Sequence, residues 1–162
     1  MHIIMVKLNS LSFVYRLSGL LTLGILALLV GCDSGNYPEP GLDVLAQEFK
    51  EANQAEDIAP MLALYQTQGS DARTLTLLKG ALEYELGLPI KRIDFEPLSG
   101  APEENIDFTH DGVAYGPSLK PRYRMRVIYA VDDQFTSLFS VGKSPTGEWR
   151  IVCATPKPEP SL

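Results

Sequence analysis

Apolar positions change their spacing twice along this chain of 162 residues. Residues 17–30 are apolar apart from Ser18, Gly19, Thr22 and Gly24 and show no polar face. At Leu42 a helical period begins. Leu42, Leu45, Ala46, Phe49, Ala52 and Asn53 recur at three- and four-residue steps, with Gln47, Glu48, Lys50 and Glu51 between them, which predicts one amphipathic helix ending near Ala55. Asp57 is placed to cap a second helix, and Pro60 is tolerated there because first-turn nitrogens have no intrahelical acceptor. That helix is expected to turn Ile58, Met61, Leu62 and Tyr65 inward and to stop at Gly69. A third helix, capped by Ser70 or Asp71, carries Leu75, Leu78, Leu82 and Leu86 on a stripe widened by Leu77, Ala81 and Tyr84. Gly87 and Pro89 end it, since glycine accepts the left-handed conformation and proline cannot continue a helix.

From Ile90 the period falls to two. Ile93 and Phe95 alternate with Arg92, Asp94 and Glu96, as in a strand with one apolar face. Residues 106–109 and 113–115 flank His110-Asp111-Gly112, and Asp-Gly between short apolar runs signals a hairpin. Strands over 122–131, 135–143 and 148–154 follow, separated by Asp132-Asp133 and by Ser144-Pro145-Thr146-Gly147. The spacing predicts an antiparallel meander, so residues 42–154 read as one α+β domain with its helices first. Pro156, Pro158 and Pro160 remove every second backbone donor, and residues 155–162 read as an extended or disordered tail.

The junction that closes the first stretch decides how residues 1–31 are read. Leu29-Val30-Gly31-Cys32 ends the apolar run, and Asp33-Ser34-Gly35-Asn36 follows at once. The run is shorter than the ~20 apolar residues of a membrane span, and Lys7 and Arg16 precede it as in a secretory leader. A small residue before a lone cysteine at that place resembles the lipobox of bacterial lipoproteins. The resemblance implies cleavage between Gly31 and Cys32, a diacylglycerol thioether on the Cys32 sulfur and acylation of the new amino group. It therefore implies a cell-envelope protein held on a membrane by acyl chains and facing the periplasm or the exterior. Asp33 beside the cysteine resembles the inner-membrane retention signal of enteric-type lipoproteins. Residues 32–41, with Pro38, Pro40 and Gly41, read as a short tether.

Removing the leader takes away two positive charges and leaves 131 residues carrying −8, a length suited to one domain. The acidic balance argues against nucleic acid and against polybasic attachment to anionic lipid. Acyl chains then remain as the membrane contact, with an envelope protein as a candidate partner. Lipidation of Cys32 leaves Cys153 unpaired in the strand Trp149-Arg150-Ile151-Val152-Cys153-Ala154, where a buried, small, apolar role is expected. Metal ligation is not indicated, because the chain after Cys32 offers one histidine and one cysteine far apart in sequence. Nothing in the pattern asks for a cofactor.

Helices first and a bent antiparallel sheet after them is the order of the nuclear-transport-factor-two-like superfamily, also called cystatin-like or cone-shaped. The resemblance rests on Ala46-Gln47-Glu48-Phe49-Lys50-Glu51-Ala52 into Glu56-Asp57, on Leu62-Ala63-Leu64-Tyr65, and on the last long strands ending at Trp149-Arg150-Ile151. It implies three helices packed on a curved antiparallel sheet. Many members have a longer stretch between helices two and three, whereas only residues 66–70 intervene here.

Arg122, Arg124 and Arg126 alternate with Tyr123, Met125 and Val127, which places three guanidinium groups on one strand face. Such a face is either an anion- or partner-binding stripe, since guanidinium matches carboxylate bidentately, or a solvated face whose arginines meet cross-strand acids such as Asp94 and Glu96. His110 falls in the expected turn beside Asp111, where a solvated loop role outweighs a general base. Enzymes of the resembled superfamily set acids and tyrosines in the mouth of the sheet. Asp94, Tyr123, Tyr129 and Asp132 occupy strands or turns here, but no local motif carries a catalytic role onto them. The leading expectation is a non-catalytic binding or accessory domain acting through the open sheet face. The alternative is a small-molecule-binding protein or an isomerase-, dehydratase- or cyclase-like enzyme. Its pocket would lie between helix three and the sheet, where Tyr84, Phe95, Tyr123, Tyr129, Phe135 and Phe139 supply aromatic surface.

Overall fold

A computed structural model describes residues 37–55, 57–131 and 135–158. Residues 1–31, expected from sequence to be a leader, and Cys32, Asp33 and Asp132 lie outside the described residues. Helices α1 (Leu42–Gln54), α2 (Ile58–Ala63) and α3 (Ala72–Glu85) precede all the longer strands, and the domain is α+β. Asp57 caps α2 by accepting from the Ala59 N–H, and Asp71 rather than Ser70 caps α3 by accepting from the Thr74 N–H. Each cap satisfies a first-turn donor that has no intrahelical acceptor.

The strands form two sheets instead of one meander. The larger is mixed and five-stranded, in the order β1-β7-β6-β5-β2, with β1 (Tyr65–Gln66), β2 (Ile90–Pro97), β5 (Tyr123–Tyr129), β6 (Thr136–Lys143) and β7 (Trp149–Val152). Its β2, β5, β6 and β7 are antiparallel neighbours, as expected. The short β1 departs from expectation. Helix α2 stops at Ala63, and Tyr65 and Gln66 pair in parallel with Ile151 and Val152 instead of completing the helix. Ile151 donates its N–H to the Leu64 carbonyl at 2.9 Å, so the free edge of β7 captures the chain before a further helical turn forms. The smaller sheet joins β3 (Phe108–His110), β4 (Val113–Pro117) and β8 (Ala154–Pro156). Asp111 and Gly112 both have positive φ, at 50° and 78°, the geometry of a tight two-residue hairpin turn. The proline-rich end begins as β8, an edge strand, where the missing donor of Pro156 is tolerated. The chain crosses between sheets at Cys153, whose N–H donates to Ser118 Oγ and whose carbonyl accepts from the Ser118 N–H.

The core lies between α1 and the larger sheet. Leu42, Leu45, Ala46, Phe49 and Ala52 of α1 are buried against Ile93, Phe95, Met125, Val127, Tyr129, Val141 and Ile151. Helix α3 behaves differently from its pattern. Leu82 is its one buried residue, Leu75 and Leu78 are half-buried, and Leu77 and Tyr84 are 67% and 73% exposed. Polar links hold the start of α3 to the hairpin: Tyr115 donates to Asp71 Oδ2 at 2.7 Å, and Arg73 pairs with Asp111 in the turn. The apolar stripe therefore overhangs a cleft.

Candidate functional site

Strict alternation along β5 does put Arg124 and Arg126 opposite the buried Met125, Val127 and Tyr129, and Arg122 precedes them. Each guanidinium meets its own carboxylate. Arg126 is bidentate on Glu96 at 2.7 and 3.2 Å, Arg124 approaches Glu104 at 3.3 Å, and Arg122 pairs with Glu39 at 2.8 Å. The Arg126 hydrogen bonds hold the Glu96 carboxyl below its usual pKa. Burial pushes Glu104 up, but the Ser99 and Gly100 N–H groups, the Ser99 hydroxyl and Arg124 outweigh it and leave it lowered. Of the acids named from sequence, Glu96 meets an arginine of this stripe, whereas Asp94 pairs with Arg92 on its own strand.

Glu39 also ties the residues just ahead of α1 to the larger sheet. It accepts from the Tyr123 hydroxyl at 2.9 Å and pairs with Lys143 at 3.2 Å, and its pKa is lowered, first by the Tyr123 hydrogen bond. Trp149 lies beside this cluster with Lys143 and Arg122 over its ring, 4.8 and 5.5 Å from the centroid, and donates Nε1–H to the Pro40 carbonyl at 3.0 Å. Tyr129, the other tyrosine named from sequence, is buried and donates to Glu85 Oε2 at 2.8 Å, while Ser137 donates to Glu85 Oε1 at 2.6 Å. Burial, followed by the Glu85 hydrogen bond, raises the Tyr129 pKa.

The cleft beneath α3 has a volume of about 420 Å³. Residues Arg73, Thr74, Leu77 and Leu78 form one face of α3 and one wall; β1, the hairpin and the β7–β8 crossing supply the rest. Burial separates floor from rim. Tyr65, Tyr115, Val152 and Cys153 are 6–7% exposed, whereas Leu77 and Phe108 are 67% and 47% exposed. The Phe108 and Tyr115 rings stack at 5.0 Å with an interplanar angle of 11°. His110 sits on the rim, half-exposed, with Nε2 3.3 Å from Asp111 Oδ2. The Asp111 pKa is lowered, first by its hydrogen bond from Arg73 and then by His110.

Sequence reasoning placed a pocket between α3 and the sheet but lined it with other side chains. Phe95 and Tyr129 are buried in the main core, Tyr84 faces outward in edge contact with Phe135, and Tyr123 packs on Trp149. Tyr65, Phe108 and Tyr115 are the aromatic residues of the cleft, brought there by long-range strand pairing that no local pattern announces. Cys153 is buried, as its strand context predicts. Among the described residues no group of His, Cys, Asp and Glu is placed to hold a metal ion, and no helix is long and apolar enough to cross a membrane. No protein-family model, curated protein or solved structure matches this chain.

Proposed function

We propose that this protein is an envelope lipoprotein, held on a membrane through Cys32, whose domain binds a small apolar molecule in the cleft beneath α3. The observation that carries the binding reading is the cleft itself. Its volume of about 420 Å³ falls within the roughly 300–1,000 Å³ of small-molecule sites, which are likewise mostly apolar with a few placed polar groups. Binding fits better than catalysis because the charged groups at the cleft are engaged in holding it together: Asp71 caps α3 and accepts from Tyr115, and Arg73 pairs with Asp111. Partner capture by Arg122, Arg124 and Arg126 is the weaker reading, since a newcomer must displace Glu39, Glu104 and Glu96. The lipobox residues Leu29-Val30-Gly31-Cys32 support the anchor. Helices preceding an antiparallel β2–β5–β6–β7 run support a nuclear-transport-factor-two-like plan, to which β1 and the small sheet are additions.

Titration of the domain with N-phenylnaphthylamine tests the site. Saturable fluorescence enhancement is expected, and Thr74→Trp, which fills the cleft from α3, should abolish it while the cooperative thermal melt persists. Absent saturation, or equal binding by the filled variant, overturns the binding reading. Cys32→Ser should release the full chain from membranes, and undiminished attachment overturns the anchor.

A further inference from the structure

The α3 cleft is apolar over most of its lining, and the two residues there with basic side chains, Arg73 and His110, come from different walls, α3 and β3. Their side chains are 54% and 47% exposed, so both stand at the rim. Asp111 shows what this pair can receive. Its Oδ2 accepts from Arg73 Nη1 and lies 3.3 Å from His110 Nε2, so donors from two separate elements converge on one carboxylate oxygen. The rim already has the geometry of a carboxylate receptor.

Its present occupant is weakly held. The Asp111 side chain is 70% exposed, and ion pairs so open to water contribute little, while a guanidinium carries further donors beyond the one given to Asp111. Asp71, the other acid at this end of α3, is engaged elsewhere, because its oxygens accept from the Thr74 N–H and the Tyr115 hydroxyl.

We infer that the cleft takes an alkyl carboxylate of the fatty-acid class, with its chain on Leu77, Leu78, Phe108 and Val152 and its head group replacing Asp111 on Arg73 and His110. This rests on the cleft-binding reading above and adds the chemistry of the head group. A carboxylate matches the guanidinium fork and gains charge-assisted hydrogen bonds. A neutral head gains less, and an ammonium head would face Arg73 as a like charge.

Decanoate and decanol, each titrated against bound N-phenylnaphthylamine in wild type, Asp111→Asn, Arg73→Gln and His110→Gln, test the inference. Asparagine keeps an oxygen for Arg73 and tolerates the φ of 50° at this turn position, so the hairpin is retained. Asp111→Asn should tighten decanoate roughly threefold to fivefold, the worth of one exposed ion pair, and leave decanol unchanged. Arg73→Gln should weaken decanoate by a similar factor and His110→Gln by a smaller one, both sparing decanol. An unchanged decanoate affinity in either Asp111→Asn or Arg73→Gln, equal shifts for both compounds, or tighter binding of decylamine than of decanoate by wild type each overturn the head-group assignment. Failure of both decanoate and decanol to displace the dye from wild type instead overturns the cleft-binding reading itself.

Discussion

Removing a single oxygen from Tyr65 should make the ligand-free domain more stable. The hydroxyl is buried without a partner, and an unsatisfied group of this kind costs about 1–3 kcal/mol. Phenylalanine keeps the ring, and with it the edge contact to Phe139 at 6.4 Å, so no packing is lost to set against the gain. A gain of about 1 kcal/mol corresponds to a rise of roughly 4 °C in Tm for a domain of this size. Urea unfolding followed by fluorescence of Trp149, the one tryptophan in the chain, reads the same change as a higher midpoint with an unchanged m-value. Tyr129→Phe supplies the opposite control. It deletes a donor to Glu85 and should destabilise by about 1–2 kcal/mol. A Tyr65→Phe midpoint below wild type would mean that the hydroxyl is satisfied in the folded domain, and would refute the reasoning.

Three further outcomes follow from the geometry. Gly142→Ala should cost about 1–3 kcal/mol by overpacking, because a Cβ there would lie 2.5 Å from the Lys120 carbonyl oxygen and 3.2 Å from Leu119 Cβ; a melt unchanged from wild type would refute the close crossing of that loop. Trp149→Phe should cost about 1–2 kcal/mol through loss of the indole donor to Pro40 and weakening of two cation contacts, read by circular dichroism, and a neutral result would remove this cluster from the forces holding the residues just ahead of α1. Glu39, Asp71, Glu96, Glu104 and Asp111 all have lowered pKa values in the fold. Their contribution is complete above the usual carboxylate range and is lost as pH falls through the lowered values, so the urea midpoint should be flat between about pH 7 and 5 and fall below about pH 4; a rise on acidification would refute those pairings.

What the sequence disclosed was local. Helix α1, the Asp57 cap, the Gly87 stop and the hairpin at Asp111-Gly112 each depend on residues within a turn or two of one another, and each stands where its pattern put it. Side-chain parity along β5 was equally legible, because strand alternation needs no knowledge of the partner. The partners themselves were not. Glu104 reaches Arg124 from the 3-10 turn at Pro102–Glu104, and Glu39 reaches Arg122 from just ahead of α1, 20 and 83 residues away in sequence. The parallel pairing of Tyr65 with Ile151 and the antiparallel pairing of Pro156 with Tyr115 are long-range choices of the same kind: the first adds a strand to the larger sheet and the second builds the smaller one. An amphipathic stripe told which face of α3 is apolar, but it carried no information on how much apolar surface would be there to meet it.

That mismatch explains why the cleft stays open. Helix α3 is tied at its start to the small sheet, through Asp71 to Tyr115 and Arg73 to Asp111, and at its end to the large sheet, through Glu85 to Tyr129 and Ser137. Hydrogen bonds hold their lengths within a few tenths of an ångström, so the helix is fixed at both ends against two surfaces between which the chain crosses at Cys153. It cannot settle toward that crossing without breaking one set of ties. Leu77 and Leu78 are therefore left standing over the crossing, apolar and incompletely buried, with Tyr65 below them. Apolar area kept from its own core is available to a ligand at roughly 25 cal/mol per Å², which a helix free to collapse inward would already have consumed in folding.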